Sequence, residues 1–227
     1  RYDYSSFEIY KNTTGDVLIA GDKVSVDIFS LPAGQVVTQV KRSEATRLTH
    51  SLFLPGILIF HDRENELAAF RISDKTIAWR LNSGSKPMKF LGISLKSIPN
   101  IFNQCEYNDQ DGMLYAATMF GDLYKIDPST GNVLTKVEQF RGTDNNAGLL
   151  SHLDFLDIDR DSQKELIAPS VDHNVYCLSA GDFTLRWQYD TGNENQMPLS
   201  FSDITGDGKP DIFLVNDYDL RLCVLDG

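Results

Sequence analysis

No stretch of the 227 residues carries a sustained helical period, and none is long and apolar enough to cross a bilayer. The most apolar run, Leu52 to Phe60, is broken by Pro55 and Gly56 and amounts to a strand pair at most. No targeting peptide is visible, although a processed chain would have lost one. Basic residues are also few: 21 Lys and Arg against 32 Asp and Glu leave a formal charge of −11. No basic stripe appears, which excludes the phosphate-binding surface that a nucleic-acid partner needs. His50, His61, His152 and His173 lack metal-ligand spacing such as His-x-x-x-His, and read as turn or strand-edge residues. A Gly-x-Ser-x-Gly elbow and a phosphate-cradling glycine loop are both missing. These absences leave no recognisable catalytic constellation.

What the chain does hold is a repeated acidic loop. Residues 157–165 read Asp-Ile-Asp-Arg-Asp-Ser-Gln-Lys-Glu, and 203–211 read Asp-Ile-Thr-Gly-Asp-Gly-Lys-Pro-Asp, 46 positions later with the oxygen-bearing residues in register. A hard cation wants six to eight oxygens, and a short loop aims alternate side chains and one backbone carbonyl at a single point. The expected calcium ligands are Asp157, Asp159, Asp161, the Gln163 carbonyl and Glu165 in the first loop. In the second they are Asp203, Thr205, Asp207, the Lys209 carbonyl and Asp211, with the Thr205 hydroxyl as the weak member. Neither is an EF-hand, because the twelfth-position glutamate is missing and apolar strand-like runs follow (Leu166-Ile167-Ala168 and Ile212-Phe213-Leu214-Val215). Seven of the 32 acids lie in these loops, and two bound Ca²⁺ ions would bring the charge from −11 to −7.

The period extends along the chain. An aromatic or β-branched run followed by a Pro/Ser/Thr/Gly turn ends at Leu31, Ile72, Ile126, Leu178 and Leu225, separated by 41, 54, 52 and 47 residues. A further strand end is marked by Trp79-Arg80-Leu81-Asn82-Ser83-Gly84 and Trp187-Gln188-Tyr189-Asp190-Thr191-Gly192, with Phe7 to Gly15 as a third copy lacking the tryptophan. A tryptophan recurring at one place in a repeat reads as a packing wedge between adjacent sheets rather than a ligand platform. Four short strands per repeat predict an all-β fold, a β-propeller of four-stranded antiparallel blades with about five units in residues 1–227, a single domain or a fragment of one. Phe7 to Gly15 reads as a fourth strand, and Asp226-Gly227 as the turn before one. Either those ends complete one another in a closed five-bladed ring, or the chain, which begins at Arg1, is part of a larger seven- or eight-bladed propeller; the second is the expectation.

The Leu-Tyr-x-Ile-Asp-x-x-Thr-Gly-x-Val-Leu run from Leu123 and the Trp-x-Tyr-x-Thr-Gly run from Trp187 resemble the repeats of quinoprotein-type (PQQ-like) propellers, over nearly the whole chain. The acidic loops resemble the FG-GAP/VCBS calcium loops of integrin-α-like propellers, over its last third. Glu106 to Gly112 stands at the corresponding point of an earlier repeat but is too short for the ligand set, and is expected to be metal-free. A quinoprotein would also need a vicinal Cys-Cys pair, a catalytic aspartate and channel calcium ligands, none of which can be matched, so no quinone is expected.

Three cysteines cannot form a complete disulfide framework. Cys177 and Cys223 stand on equivalent strands of successive repeats, too far apart for the Cα limit of about 7 Å, and read as small buried apolar residues. Free thiols favour a reducing compartment, but weak calcium loops fill only at the roughly millimolar calcium outside cells, and that argument prevails. The expectation is therefore an extracytoplasmic, calcium-stabilised and non-catalytic module, secreted, periplasmic or on a cell surface, that binds a protein or carbohydrate partner in adhesion or reception. Asn12-Thr13-Thr14 is a glycosylation sequon if the source is eukaryotic. Two alternatives compete. One is a scaffold subunit of an envelope or membrane-associated assembly, with Phe102, Met119, Phe120 and Phe140 as its apolar patch. The other is a propeller enzyme, quinoprotein-like or polysaccharide-cleaving, with acids converging from different blades.

Overall fold

The computed structural model describes residues 6–11, 15–46, 51–90, 93–140, 142, 150–215 and 221–226. Among them are twenty-one strands and no helix. His50 and the Asn12 sequon lie outside the described residues.

The chain divides into two compact units. The first comprises Arg1–Phe102 with Pro128–Asn132, and the second Asn103–Asp127 with Val133–Gly227. In the first unit, β1 (Ser6–Tyr10), β2 (Val17–Gly21), β3 (Ser25–Ser30) and β4 (Gln35–Lys41) form one antiparallel sheet in chain order. β5 (Ser51–Leu54), β6 (Ile57–Arg63), β7 (Glu66–Arg71) and β8 (Thr76–Asn82) form the next, followed by a two-stranded ribbon of β9 (Ser85–Phe90) and β10 (Ile93–Pro99). Leu52 to Phe60 is indeed a strand pair, turned at Gly56 where φ is +81°. The Ile19, Val26, Ile28 and Val40 side chains of the first sheet pack with Leu58, Phe60 and Ala68 of the second to make this unit's core.

The second unit repeats the plan with β11 (Phe102–Asn108), β12 (Met113–Thr118), β13 (Leu123–Ile126) and β14 (Val133–Val137), then β15 (Asp154–Leu156), β16 (Glu165–Pro169), β17 (Asn174–Ser179) and β18 (Leu185–Asp190). A three-stranded sheet of β19 (Ser200–Ser202), β20 (Asp211–Val215) and β21 (Leu222–Leu225) follows. Successive strand residues point to opposite faces, and here both faces are covered. Leu166, Ala168, Tyr176 and Leu178 pack with Tyr115, Leu123 and Phe140 on one side. Ile167, Val175 and Cys177 pack with Ile212 and Leu214 on the other. Burial on both faces is why β16 reads as a continuous apolar run rather than an alternating one; β20 buries Ile212 and Leu214 on one face and leaves Val215 exposed on the other.

The ladders refine the repeat. In all four four-stranded sheets the third strand meets the fourth across a bulge, between Ile28 and Phe29, Ala69 and Phe70, Lys125 and Ile126, and Cys177 and Leu178. Equivalent residues are therefore Phe29, Phe70, Ile126 and Leu178, and the anchors Leu31 and Ile72 lie two residues too far on. Phe7 to Gly15 is also reassigned. β1 is the first strand of its own sheet, paired with β2 from Ser6 opposite Gly21 to Tyr10 opposite Val17, and is not a fourth strand awaiting closure.

Trp79 and Trp187 do occupy equivalent places, on β8 and β18. Trp79 is a wedge: its indole N–H donates to the Pro128 carbonyl at 2.8 Å, and a Cβ at Gly131 would lie 2.6 Å from the ring. Gly131, with φ at +75°, meets both the turn and the close approach that exclude a side chain.

Candidate calcium loops

Both acidic segments are the connections between the first and second strands of their sheets, β15 to β16 and β19 to β20. Their closing acids behave alike. Glu165 opens β16, is 1% exposed, and its Oε2 accepts the Ile158 N–H at 3.2 Å. Asp211 opens β20, is wholly buried, and its Oδ2 accepts the N–H groups of Ile204 at 2.7 Å and Thr205 at 3.1 Å. In each loop the ninth residue thus takes the N–H of the second, which draws the loop shut. Backbone at positive φ makes the turns: Arg160 and Ser162 in the first loop, Gly206 and Gly208 in the second.

In the first loop one carboxylate oxygen each from Asp157, Asp159 and Glu165 lies within 4.8 Å of the others. Asp157 Oδ2 accepts the Ser162 N–H at 3.1 Å, while its Oδ1 is enclosed without a hydrogen-bond partner. Asp161 turns to accept the Gln163 N–H at 2.7 Å and is not part of this cluster. Arg186 reaches in from β18, with Nη1 2.9 Å from both Asp159 Oδ2 and Glu165 Oε1. Burial pushes the Glu165 carboxyl above the usual range, against the pull of the Ile158 N–H and Arg186. Burial also works against the Arg186 charge, but the surrounding carboxylates outweigh it and raise the guanidinium above its ordinary value. An acid trio with an orphaned, enclosed oxygen suits a hard cation, because such an oxygen costs free energy until something positive reaches it.

The second loop shares the turn in which the fifth acid takes the N–H of the seventh residue, Asp161 with Gln163 and Asp207 with Lys209. Asp203 accepts the Gly206 N–H at 2.7 Å and Asp207 the Lys209 N–H at 2.8 Å, so these two carboxylates hold backbone turns. Among the described residues only the first loop brings three acids together. The Arg160 guanidinium of the first loop lies over Gly208 of the second, within 2.4 Å of where a Cβ would stand.

The turn Asn108 to Gly112, between β11 and β12, is the third member of the series, and its acids are already engaged. Asp111 accepts the Met113 N–H at 3.0 Å and pairs with Lys125 at 2.8 Å, and the Tyr115 hydroxyl lies 2.6 Å from it. This turn grips the first acidic loop. Gln110 donates to the Ser162 carbonyl at 2.6 Å and accepts the Lys164 N–H at 2.7 Å, and Lys164 pairs with Asp109 at 2.5 Å.

Reading the sequence missed a second acidic series, Asp22, Asp62, Asp122 and Asp172, at the junction of the second and third strands of the four-stranded sheets. Asp22 accepts the N–H groups of Val24 and Ser25, Asp62 that of Ser43, Asp122 that of Gln139, and Asp172 that of Asn174. Asp22 and Asp172 clamp their own hairpins, whereas Asp62 and Asp122 hold the segments that leave β4 and β14. The apolar patch suggested for a scaffold subunit dissolves in part: Phe102 is fully buried, and Phe140, 6% exposed, packs in the core with Tyr176. All three cysteines are free, and burial pushes the Cys177 thiol up to about 12.

No known family's model matches this sequence, and no curated protein matches it. The chain matches Sqt1 of Saccharomyces cerevisiae, a WD40-type propeller protein, with a TM-score of 0.71 at 11% identity, over 99% of this chain and 59% of that one. The fold is all-β and propeller-like. The chain spans about 59% of its neighbour's length. At that identity the likeness is one of fold alone, and propeller-like scaffolds serve many functions. Among the described residues no helix is long and apolar enough to cross a membrane.

Proposed function

We propose that this chain is a non-catalytic binding module on a propeller-like scaffold, stabilised by calcium in the hairpin loops 157–165 and 203–211, and that it engages a protein or carbohydrate partner in an extracytoplasmic setting. The observation that carries the reading is the convergence of Asp157, Asp159 and Glu165 within 4.8 Å around an enclosed oxygen with no partner. Asp157, Asp159 and Glu165 would hold the ion in the first loop; in the second, Asp203 and Asp207 would do so through Oδ2, the Oδ1 of each being the atom that takes the turn N–H, together with Asp211. Calcium would neutralise carboxylates that the fold crowds together and so fix the angle between first and second strands. The kinship with FG-GAP/VCBS loops and PQQ-like blades belongs to this reading, and a protein partner fits the use that propeller-like scaffolds make of their loops.

Thermal unfolding across a calcium titration, with chelator and magnesium controls, tests it. A ligand that binds only the native state raises the melting temperature by mass action. The expected result is a rise saturating near millimolar calcium and much reduced in Asp157→Ala and Asp207→Ala. A parent chain that melts identically in calcium and in chelator would refute the reading.

A further inference from the structure

The bulge shared by the four-stranded sheets leaves one unpaired residue on each fourth strand, and a bulge re-aims the side chain it carries. From the registers those residues are Val37, Ala78, Leu134 and Arg186. Three are uncharged. The one cation stands on β18, in the sheet that carries the first acidic loop, and its guanidinium contacts Asp159 and Glu165 at 2.9 Å and approaches Asp161 at 4.0 Å.

We infer that Arg186 is a built-in counter-cation of the first loop, which holds its carboxylates together without metal and must be displaced for calcium to enter. This rests on the calcium reading above and adds a regulator to it. The two cations need the same oxygens. Calcium requires carboxylate oxygens at about 2.3–2.6 Å, and Asp159 Oδ2 and Glu165 Oε1 are the atoms that the guanidinium occupies. Simultaneous occupancy would put a divalent ion beside a guanidinium that remains charged at any accessible pH. Arg186 does not finish the task, because Asp157 Oδ1 stays enclosed and without a partner. Arg186 itself borders a cavity of about 200 Å³ shared with Asn108, Asp111, Lys125, Lys164 and Ser179, where Asp111 can receive the displaced guanidinium. The first loop then fills only when calcium is abundant enough to displace the guanidinium.

The test is calorimetric calcium titration of the full chain, parent against Arg186→Met, each also carrying Asp207→Ala so that the first loop is observed alone. The methionine variant is expected to bind calcium at least tenfold more tightly, to melt lower than the parent in chelator, and to gain more from calcium. Arg186→Lys keeps the charge but lacks the planar fork, and is expected to fall between the two. Equal or weaker binding in both Arg186 variants, with calcium still bound by the parent, overturns this inference and leaves the calcium reading standing. Absence of binding in every protein removes this inference together with the calcium reading of the first loop.

Discussion

Asp154 on β15 is a carboxylate whose charge the fold accommodates poorly. Its Oδ2 is enclosed without a hydrogen-bond partner, and burial pushes the carboxyl up to about 6. Because the folded value stands above the unfolded one of about 3.9, the native state holds this proton more tightly. The contribution is therefore most favourable below about pH 4 and is lost as pH rises through 6, the reverse of a salt-bridged aspartate. Two pKa units correspond to roughly 3 kcal/mol, and partial exposure of the side chain reduces that to about 1–2 kcal/mol. Asp154→Asn is accordingly expected to stabilise the chain by about that amount at pH 7.5 and to match the parent at pH 4, in melts run with chelator. A gap that stays constant across pH would show that ionisation of this group is not linked to folding.

The hairpin is the element on which the candidate function is built, and three hairpins at one place in the repeat use their acids in three ways. The first loop gathers three carboxylates, the second spends Asp203 and Asp207 on its own turns, and the β11–β12 turn commits Asp111 to Met113, Lys125 and Tyr115. Asp111→Ala should thus cost about 2–3 kcal/mol, as expected for a charged group with several partners, equally in calcium and in chelator. Denaturant unfolding in both media checks this, and a loss seen only in calcium would make the turn a third metal site. The acidic loops were legible because both the spacing of their oxygens and the apolar strands that follow are local features of the sequence. Arg186 was not, since Leu185-Arg186-Trp187 reads as ordinary alternation and the bulge that re-aims the arginine exists only in the pairing with Cys177 and Leu178. Phe7 to Gly15 misled for a similar reason: an amphipathic strand before a glycine turn looks the same whether it opens or ends a sheet, and only the β2 partner decides. Asp22, Asp62, Asp122 and Asp172 escaped notice because insertions such as the β9–β10 ribbon make their spacing uneven.

At the scale of the whole molecule the asymmetry of the acidic loops has an energetic consequence. Both lie in the second unit, whereas the core of the first is made by Ile19, Val26, Ile28, Leu58 and Phe60, with no such loop among its described residues. Amide hydrogen exchange reads the free energy of opening region by region, and a native-state ligand raises that free energy where it is coupled to the site. Calcium is therefore expected to slow exchange at Ile167, Cys177 and Ile212 on β16, β17 and β20, and to leave Ile19, Ile28 and Leu58 unchanged. Screening of the overall charge of −11 would instead act on both units and would be reproduced by magnesium at equal ionic strength. Protection confined to the second unit and specific to calcium would tie the stabilisation to the loops. Equal protection of both units by calcium alone would mean that they open together, and that the division seen in the packing is not a division in stability.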